Sequence, residues 1–319
     1  MGLVSDDSVE LMTSVARMYY LDGLDQQAVA DILGVSRSKV SRLLTAARER
    51  GVVRISVDDY DPRDRALEQH LIERFGLHHA VVVKTIGRAS ENVRRTIGYF
   101  AAPAVTGLID PKMTVGLAGG RTLRELISFM EPREQVGGIG VVQLMGNIGP
   151  TPSAIDAVEL SRLLAHRFAG TFYTLNAPAF LQNGQARELL TSHEHIRLIQ
   201  RMFASLDLAL VGIGSFEDSA FAERGALTTD DFARLRARGA VGEICGRFYD
   251  RTGRECDTEY RDRVISIELD QLRQRPEVFG VTNGTGRTTA TLAAITGRLV
   301  TSIVIDDRGA AALLGAGER

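Results

Sequence analysis

The stretch ADILGVSRSKVSRLL, Ala30 to Leu44, constrains this chain more than any other, because its helical periodicity is interrupted once and then resumes. Gly34 supplies the positive φ that ends a helix, and Ser36 is placed to cap the next by accepting from the amide of Ser38 or Lys39. Two short helices meeting at an angle are expected. In the second, Val40, Leu43, Leu44 and Ala47 stand at i, i+3, i+4 and i+7, an apolar stripe for packing. Ser38, Ser41, Arg42 and Thr45 fall on the opposite side. With Ser36, Arg37 and Lys39 at the helix start, they form a candidate DNA-reading set: hydroxyls for base edges or phosphates, basic groups for guanine or the backbone. This is the layout of a helix-turn-helix recognition helix.

The flanks extend the unit. Leu11, Met12, Val15 and Tyr19 mark a first helix, Gln26 to Leu33 a positioning helix, and Val52 to Val57 alternates as a strand would, giving a wing. An N-terminal winged helix-turn-helix over residues 1–57 is therefore expected. A plain amphipathic hairpin with a solvated face accounts for the periodicity alone; it does not account for cap, turn, Ser/Arg face and wing together. The formal net charge of −2 argues weakly against a nucleic-acid partner, but charge is uneven. From Val35 to Ser56 six basic residues (Arg37, Lys39, Arg42, Arg48, Arg50, Arg54) face Glu49 alone, a local +5. One such module makes few contacts, so a homo-oligomer on a palindromic operator is expected.

Other classes are excluded on simple grounds. No segment approaches the ~20 uninterrupted apolar residues of a membrane span, and no basic stretch followed by an apolar run opens the chain, so a cytoplasmic protein is expected. Cys245 and Cys256 flank a hairpin expected around Asp250–Gly253, whose turn does not set them opposite each other; reduced structural thiols follow. His78-His79 and His193-Glu194-His195 lack zinc spacing, and neither a metal nor a cofactor is expected.

From residue 58 to residue 77 a polar helical pattern carries Leu67, Leu71 and Phe75 on one stripe, a linker helix that also offers a subunit contact. Residues 78–319 then alternate short β-branched runs (HAVVVK, MTVGLA, GVVQLM, TFYTL, DLALVGIG, SIVID) with amphipathic segments. Continuous apolar strands joined by helices mean a parallel sheet covered on both faces, an α/β Rossmann-like domain whose ligands bind at the carboxyl ends of the strands. The loops there are informative. Gly119-Gly120-Arg121-Thr122 follows a strand and opens a helix, an arrangement in which bare amides, a hydroxyl and a helix N-terminus cradle a phosphate. A tight turn that merely needs two glycines explains the pair equally well by itself. Gly146-Asn147, Ala177-Pro178-Ala179 and Gly212-Ile213-Gly214-Ser215 also follow strands and let backbone approach a ligand.

Seven stretches in order then resemble the SorC family of sugar-responsive bacterial transcription regulators: the segment from Tyr20 to Ile55, VGLAGGRTL, VVQLMGNIG, APAF, ALVGIGS, GAVGEICGRFYDRTG and the tail from Asn283 to Leu314. The resemblance runs end to end. It implies an effector and oligomerisation domain similar to the fold of glucosamine-phosphate deaminase and ribose-phosphate isomerase, with a phosphorylated sugar over the Gly-rich loop, and it suggests tetramers. Carried over by motif, it places Gly120, Arg121 and Thr122 on the phosphate side, Glu243 at the acidic position of GAVGEI and Arg287 at the basic position of the tail. With Gly119, Gly214 and Ser215 these are the candidate effector-binding residues. The family usually has Asp at Glu243, Lys at Arg287 and often Trp at Gly119; Arg is a different shape from Lys, so the resemblance does not carry the family's usual effector over to this chain.

Three functions compete. A regulator whose operator affinity follows a phosphorylated sugar or related small metabolite uses every motif. A DNA-binding oligomer with a vestigial ligand site leaves Glu243 and Arg287 as a structural salt bridge. An isomerase- or deaminase-like enzyme, with Glu243 and Asp250 as acid and base, lacks a lysine near the tail loop, the lysines being Lys39, Lys84 and Lys112. No catalytic residue is therefore assigned.

Overall fold

In the computed structural model, Gly34 adopts φ 64° and ψ 34° and stops the helix before it. The structure describes residues 8–57, 60–85, 90–133 and 137–316, and the chain divides between Tyr60 and Asp61 into two units. The first holds α1 (Val9–Tyr20), α2 (Gln26–Leu33) and α3 (Arg37–Glu49). Each is capped by a side chain accepting from an amide three residues on: Ser8 from Leu11, Asp25 from Ala28 and Ser36 from Lys39. Met12, Val15, Val29, Val40, Leu43, Leu44 and Ala47 close a small core of their own. The expected wing is absent: Val52 to Val57 forms no strand. Val52 and Val53 pack on that core, while Ile55 and Val57 are exposed and no described residue pairs with them as a neighbouring strand.

The helix expected to link the units belongs to the second one. Asp58 and Asp59 lie outside the described residues; the helix itself, α4 (Arg65–Phe75), buries Leu71 in the larger core. Its Glu68 accepts from the Val82 amide at 3.0 Å and from Arg63 at 2.6 Å. That contact falls on β1 (His79–Val83), an edge strand, so the helix covers amides that would otherwise stay open to pairing.

The remaining elements alternate: α5 (Ser90–Thr106), β2 (Thr114–Leu117), α6 (Arg121–Phe129), β3 (Gly140–Gln143), α7 (Ala157–Arg167), β4 (Thr171–Tyr173), α8 (Gly184–Thr191), α9 (Glu194–Met202) and β5 (Leu208–Gly212). There follow α10 (Ala220–Glu223), α11 (Thr229–Ala237), the antiparallel pair β6 (Gly242–Ile244) and β7 (Arg247–Tyr249), α12 (Leu269–Arg273), β8 (Val278–Val281), α13 (Thr288–Thr296), β9 (Ser302–Asp306) and α14 (Asp307–Ala316). Seven strands form one parallel sheet in the order β1-β9-β8-β5-β2-β3-β4. Sequence patterning marks six of these strands and misses β8. From β2 the chain runs outward through β3 to β4, then returns to the other side of β2 as β5 and continues outward through β8 to β9. The order reverses between β2 and β5, and a crevice opens at that point beyond the strand ends.

The cysteine hairpin differs from expectation. Cys245 sits in the β6–β7 turn at φ 54°, and the expected turn at Asp250–Gly253 is a second one, closed by Asp250 and Arg254. Both thiols are free and buried, and burial first, then neighbouring carboxylates, pushes them upward, Cys256 to about 11. Among the described residues no group of His, Cys, Asp and Glu is placed to hold a metal, and no helix is long and apolar enough to cross a membrane.

Candidate functional site

The glycine pair after β2 meets two separate requirements. At Gly119 a Cβ would lie 2.8 Å from the Ile155 carbonyl and 3.1 Å from the Ala157 amide, so the passing chain leaves no room for a side chain. At Gly120 there is room, but φ is 141°, a conformation L-residues rarely adopt. The Gly120 amide donates to Ile155, and α6 starts at the next residue with no side chain capping it. Its first-turn amides therefore face the crevice as an uncapped positive helix end.

Across the crevice, the chain after β5 pairs with β6: the Gly214 amide donates to the Glu243 carbonyl, and the Glu243 amide to that of Gly214. A Cβ on Gly214 would lie 2.1 Å from Glu243 Oε1, so the glycine is what admits this carboxylate. Glu243 Oε2 accepts from the Gly246 amide at 3.0 Å. Enclosure dominates its titration and pushes it up to about 7, against the Gly246 amide and the Arg287 charge, which pull it down.

The strongest feature is a set of guanidiniums. Arg121, first residue of α6, donates to Asp218 Oδ1 at 2.6 Å, to the Asp218 carbonyl at 2.7 Å and to Glu223 at 2.6 Å. Arg287, from the turn after β8, donates to Asp218 Oδ2 at 2.7 Å and to the Asn283 carbonyl at 3.1 Å. Arg94, from α5, reaches the same Oδ2 at 2.7 Å. Burial raises the Asp218 pKa, but the Arg287 hydrogen bond and the charges of Arg121, Arg287 and Arg94 outweigh it and hold it below the usual value. Thr122 donates to Asn283 Oδ1 at 3.1 Å, which ties the start of α6 to the loop after β8.

Gly119, Gly120, Arg121, Thr122, Gly214, Glu243 and Arg287 thus line one cavity. Ser215 is buried and does not line it. The Glu243–Arg287 salt bridge that a vestigial site implies is not formed; Arg287 pairs with Asp218 instead. Gly146-Asn147 and Ala177–Ala179 pair with each other, Asn147 donating to Ala177 and Ala179 to Asn147. At Gly146 a Cβ would strike the Pro178 carbonyl at 2.3 Å, so these small residues serve chain packing. Sequence reasoning misses Arg94, Asp218, Cys245 and Thr282, all on the cavity wall. Thr282 is 1% exposed and its hydroxyl has no partner, an unsatisfied polar group in a wall otherwise well paired.

In the first unit, Ser36, Arg37, Ser38, Ser41, Arg42 and Thr45 are exposed and Lys39 is half-buried. Ser36 is spent partly on its cap, and the Thr45 hydroxyl donates back to the Ser41 carbonyl at 3.1 Å.

A parallel α/β domain that gathers three guanidiniums and an uncapped helix start at its switch point has the parts from which sites for small anions are built. Comparison with known proteins narrows the class. The family model described as "Putative sugar-binding domain" matches residues 62–315. The sorbitol operon regulator of Klebsiella pneumoniae is 33% identical over 316 residues, covering 97% of this chain and 99% of its own. The deoxyribonucleoside regulator of Bacillus subtilis is 31% identical over 306 residues, covering 96% and 97%. The crystal structure of full-length SorC from K. pneumoniae superposes with a TM-score of 0.77 at 32% identity, over 97% of this chain and 99% of that one. The chain belongs to this sugar-binding domain family, that of the SorC-type transcriptional regulators. These relatives are named as regulators, not as enzymes.

Proposed function

We propose that the protein is a cytoplasmic DNA-binding transcriptional regulator of a carbohydrate-metabolism operon, with operator affinity set by a phosphorylated sugar in the β2–β5 crevice. The convergence of Arg94, Arg121 and Arg287 beside the start of α6 carries this reading. Fixed guanidiniums with helix-terminal amides favour a dianionic group, and Glu243, on the wall of the same cavity, offers hydrogen bonds to sugar hydroxyls. α2 and α3 supply the DNA element: the turn at Gly34, the Ser36 cap and the exposed Arg37, Ser38, Ser41 and Arg42 agree with a helix-turn-helix that lacks a wing. The operator is palindromic and the protein a homo-oligomer, a tetramer by analogy with the family.

Thermal melting against sugar phosphates and their unphosphorylated sugars tests the ligand class. A ligand at a hundred times its dissociation constant adds ~2.7 kcal/mol of stability. Stabilisation by the phosphorylated members, and its loss in Arg287→Ala with operator binding retained, is the expected result. A response to unphosphorylated sugars that ignores Arg287 overturns the phosphate reading.

A further inference from the structure

Asp218 holds the place where the three arginines converge, and its geometry is that of a stand-in. Its two oxygens serve three guanidiniums, Oδ1 taking Arg121 and Oδ2 taking both Arg94 and Arg287. A phosphate group has a separate oxygen for each. The side chains differ in exposure: Arg287 and Arg94 are 13% and 15% exposed, Asp218 40%. Arg94 and Arg287 are thus set into the wall and Arg121 is more open at 26%, while the carboxylate is the most exposed of the four, on the loop between β5 and the single turn of α10.

We propose that Asp218 is an internal anion which competes with the effector's phosphate group for Arg94, Arg121 and Arg287, so that binding exchanges one anion for the other and releases the loop that carries Asp218. This rests on the reading of the crevice as a phosphate site. The release follows from Arg121, which holds the Asp218 carboxylate, its carbonyl and Glu223 together. An incoming phosphate that takes over this guanidinium loosens residues 216 to 223. The exchange also sets specificity: a neutral sugar cannot displace a carboxylate held by three cations, whereas a phosphate dianion offers them more charge than it removes.

Calorimetric titration of the full chain with inorganic phosphate tests the competition. Asp218→Asn keeps the shape and removes the charge, and is expected to bind phosphate roughly ten-fold or more tightly than wild type, because the fraction of protein with its arginines occupied no longer subtracts from affinity. Equal or weaker binding by Asp218→Asn, with wild-type binding abolished in Arg287→Ala, overturns the competition and leaves the phosphate site standing. Phosphate binding that Arg287→Ala does not alter overturns the site itself, and the competition with it. Hydrogen exchange on the unmutated protein is the independent check: amides from 216 to 223 are expected to exchange faster with phosphate present, and slower or unchanged exchange refutes the release.

Discussion

Glu243 gives the most direct physical test of the crevice, because its burial is written into the pH dependence of stability. Its carboxyl rises from an ordinary 4.5 to about 7 in the folded protein. Below 4.5 it is protonated folded and unfolded and contributes no difference. Between 4.5 and about 7 the folded state holds a proton that the unfolded state has lost, so stability falls with rising pH; above about 7 the full cost of the enclosed carboxylate is present. At about 1.4 kcal/mol per pH unit, the rise from 4.5 to about 7 comes to about 3 kcal/mol. Glu243→Gln is neutral throughout and can still accept from the Gly246 amide. Urea unfolding of both proteins, followed by circular dichroism at pH 4.5 and pH 8, gives a double difference in which every other titration cancels. The variant is expected to gain about 3 kcal/mol on wild type between these two pH values. Parallel profiles would show that the carboxylate is solvated and that Gly214 and the β6–β7 turn do not enclose it. In an Arg287→Ala background the window widens upward, since the charge that pulls the group down is gone.

Other expectations concern the rest of the molecule. Arg42→Ala should cost ~1–3 kcal/mol of operator binding and flatten preference at one position per half-site, whereas Lys39→Ala should weaken all sequences alike; no loss in a combined Arg37, Ser38, Ser41 and Arg42 variant, measured by operator titration, rules out α3 as the reading helix. Arg247 is fully buried and holds Glu255 at 2.8 Å and Glu268 at 2.7 Å. Arg247→Met leaves Glu255, 13% exposed, with only Arg261 at 3.8 Å, while Glu268 keeps Arg187 at 2.8 Å, and should cost about 3 kcal/mol in chemical unfolding. Light scattering should show an oligomer; a monomer that binds one half-site as tightly as a palindrome contradicts the two-fold reading of the operator. Leu43→Ala empties the centre of the three-helix core and should cost about 2–5 kcal/mol, abolishing operator binding through unfolding of that unit alone.

Much of this architecture was legible because local chemistry fixed it. Gly34 and Ser36 have one reading each, and both are realised. A glycine inside a strand does not by itself hide it, since β2 is marked despite Gly116. β8, VFGV, is not marked, and its Gly280 answers a tertiary demand: a Cβ there would meet Ile213 at 2.8 Å and Val300 at 2.9 Å. The wing fails because alternation over Val52–Val57 satisfies a strand's pattern but no described residue pairs with it as a neighbouring strand. At the site, the glycines and Arg121 show in the sequence because they sit on a strand-to-helix turn. Arg94 is one arginine on an amphipathic helix, and its partner Asp218 lies 124 residues away.

The arginine cluster also explains why a charged residue belongs at Asp218. Arg94, Arg121 and Arg287 are brought together by α5, α6 and the turn after β8, elements whose places are set by the sheet. Like charges held this way repel one another, and wall-buried guanidiniums with no counter-ion would cost several kcal/mol of folding stability. A carboxylate on a short loop removes that cost while staying outside the sheet's own packing. The same loop is latched at its far end, where Arg224 donates to Asp156 at 2.7 Å, with side chains 10% and 2% exposed. One end is therefore fixed by a buried pair and the other by a half-exposed one, so any anion that competes for Arg121 acts on the weaker end. Folding and the proposed response then draw on a single contact, and Asp218→Asn, which frees the arginines for a competing anion, is expected to lower the stability of the domain.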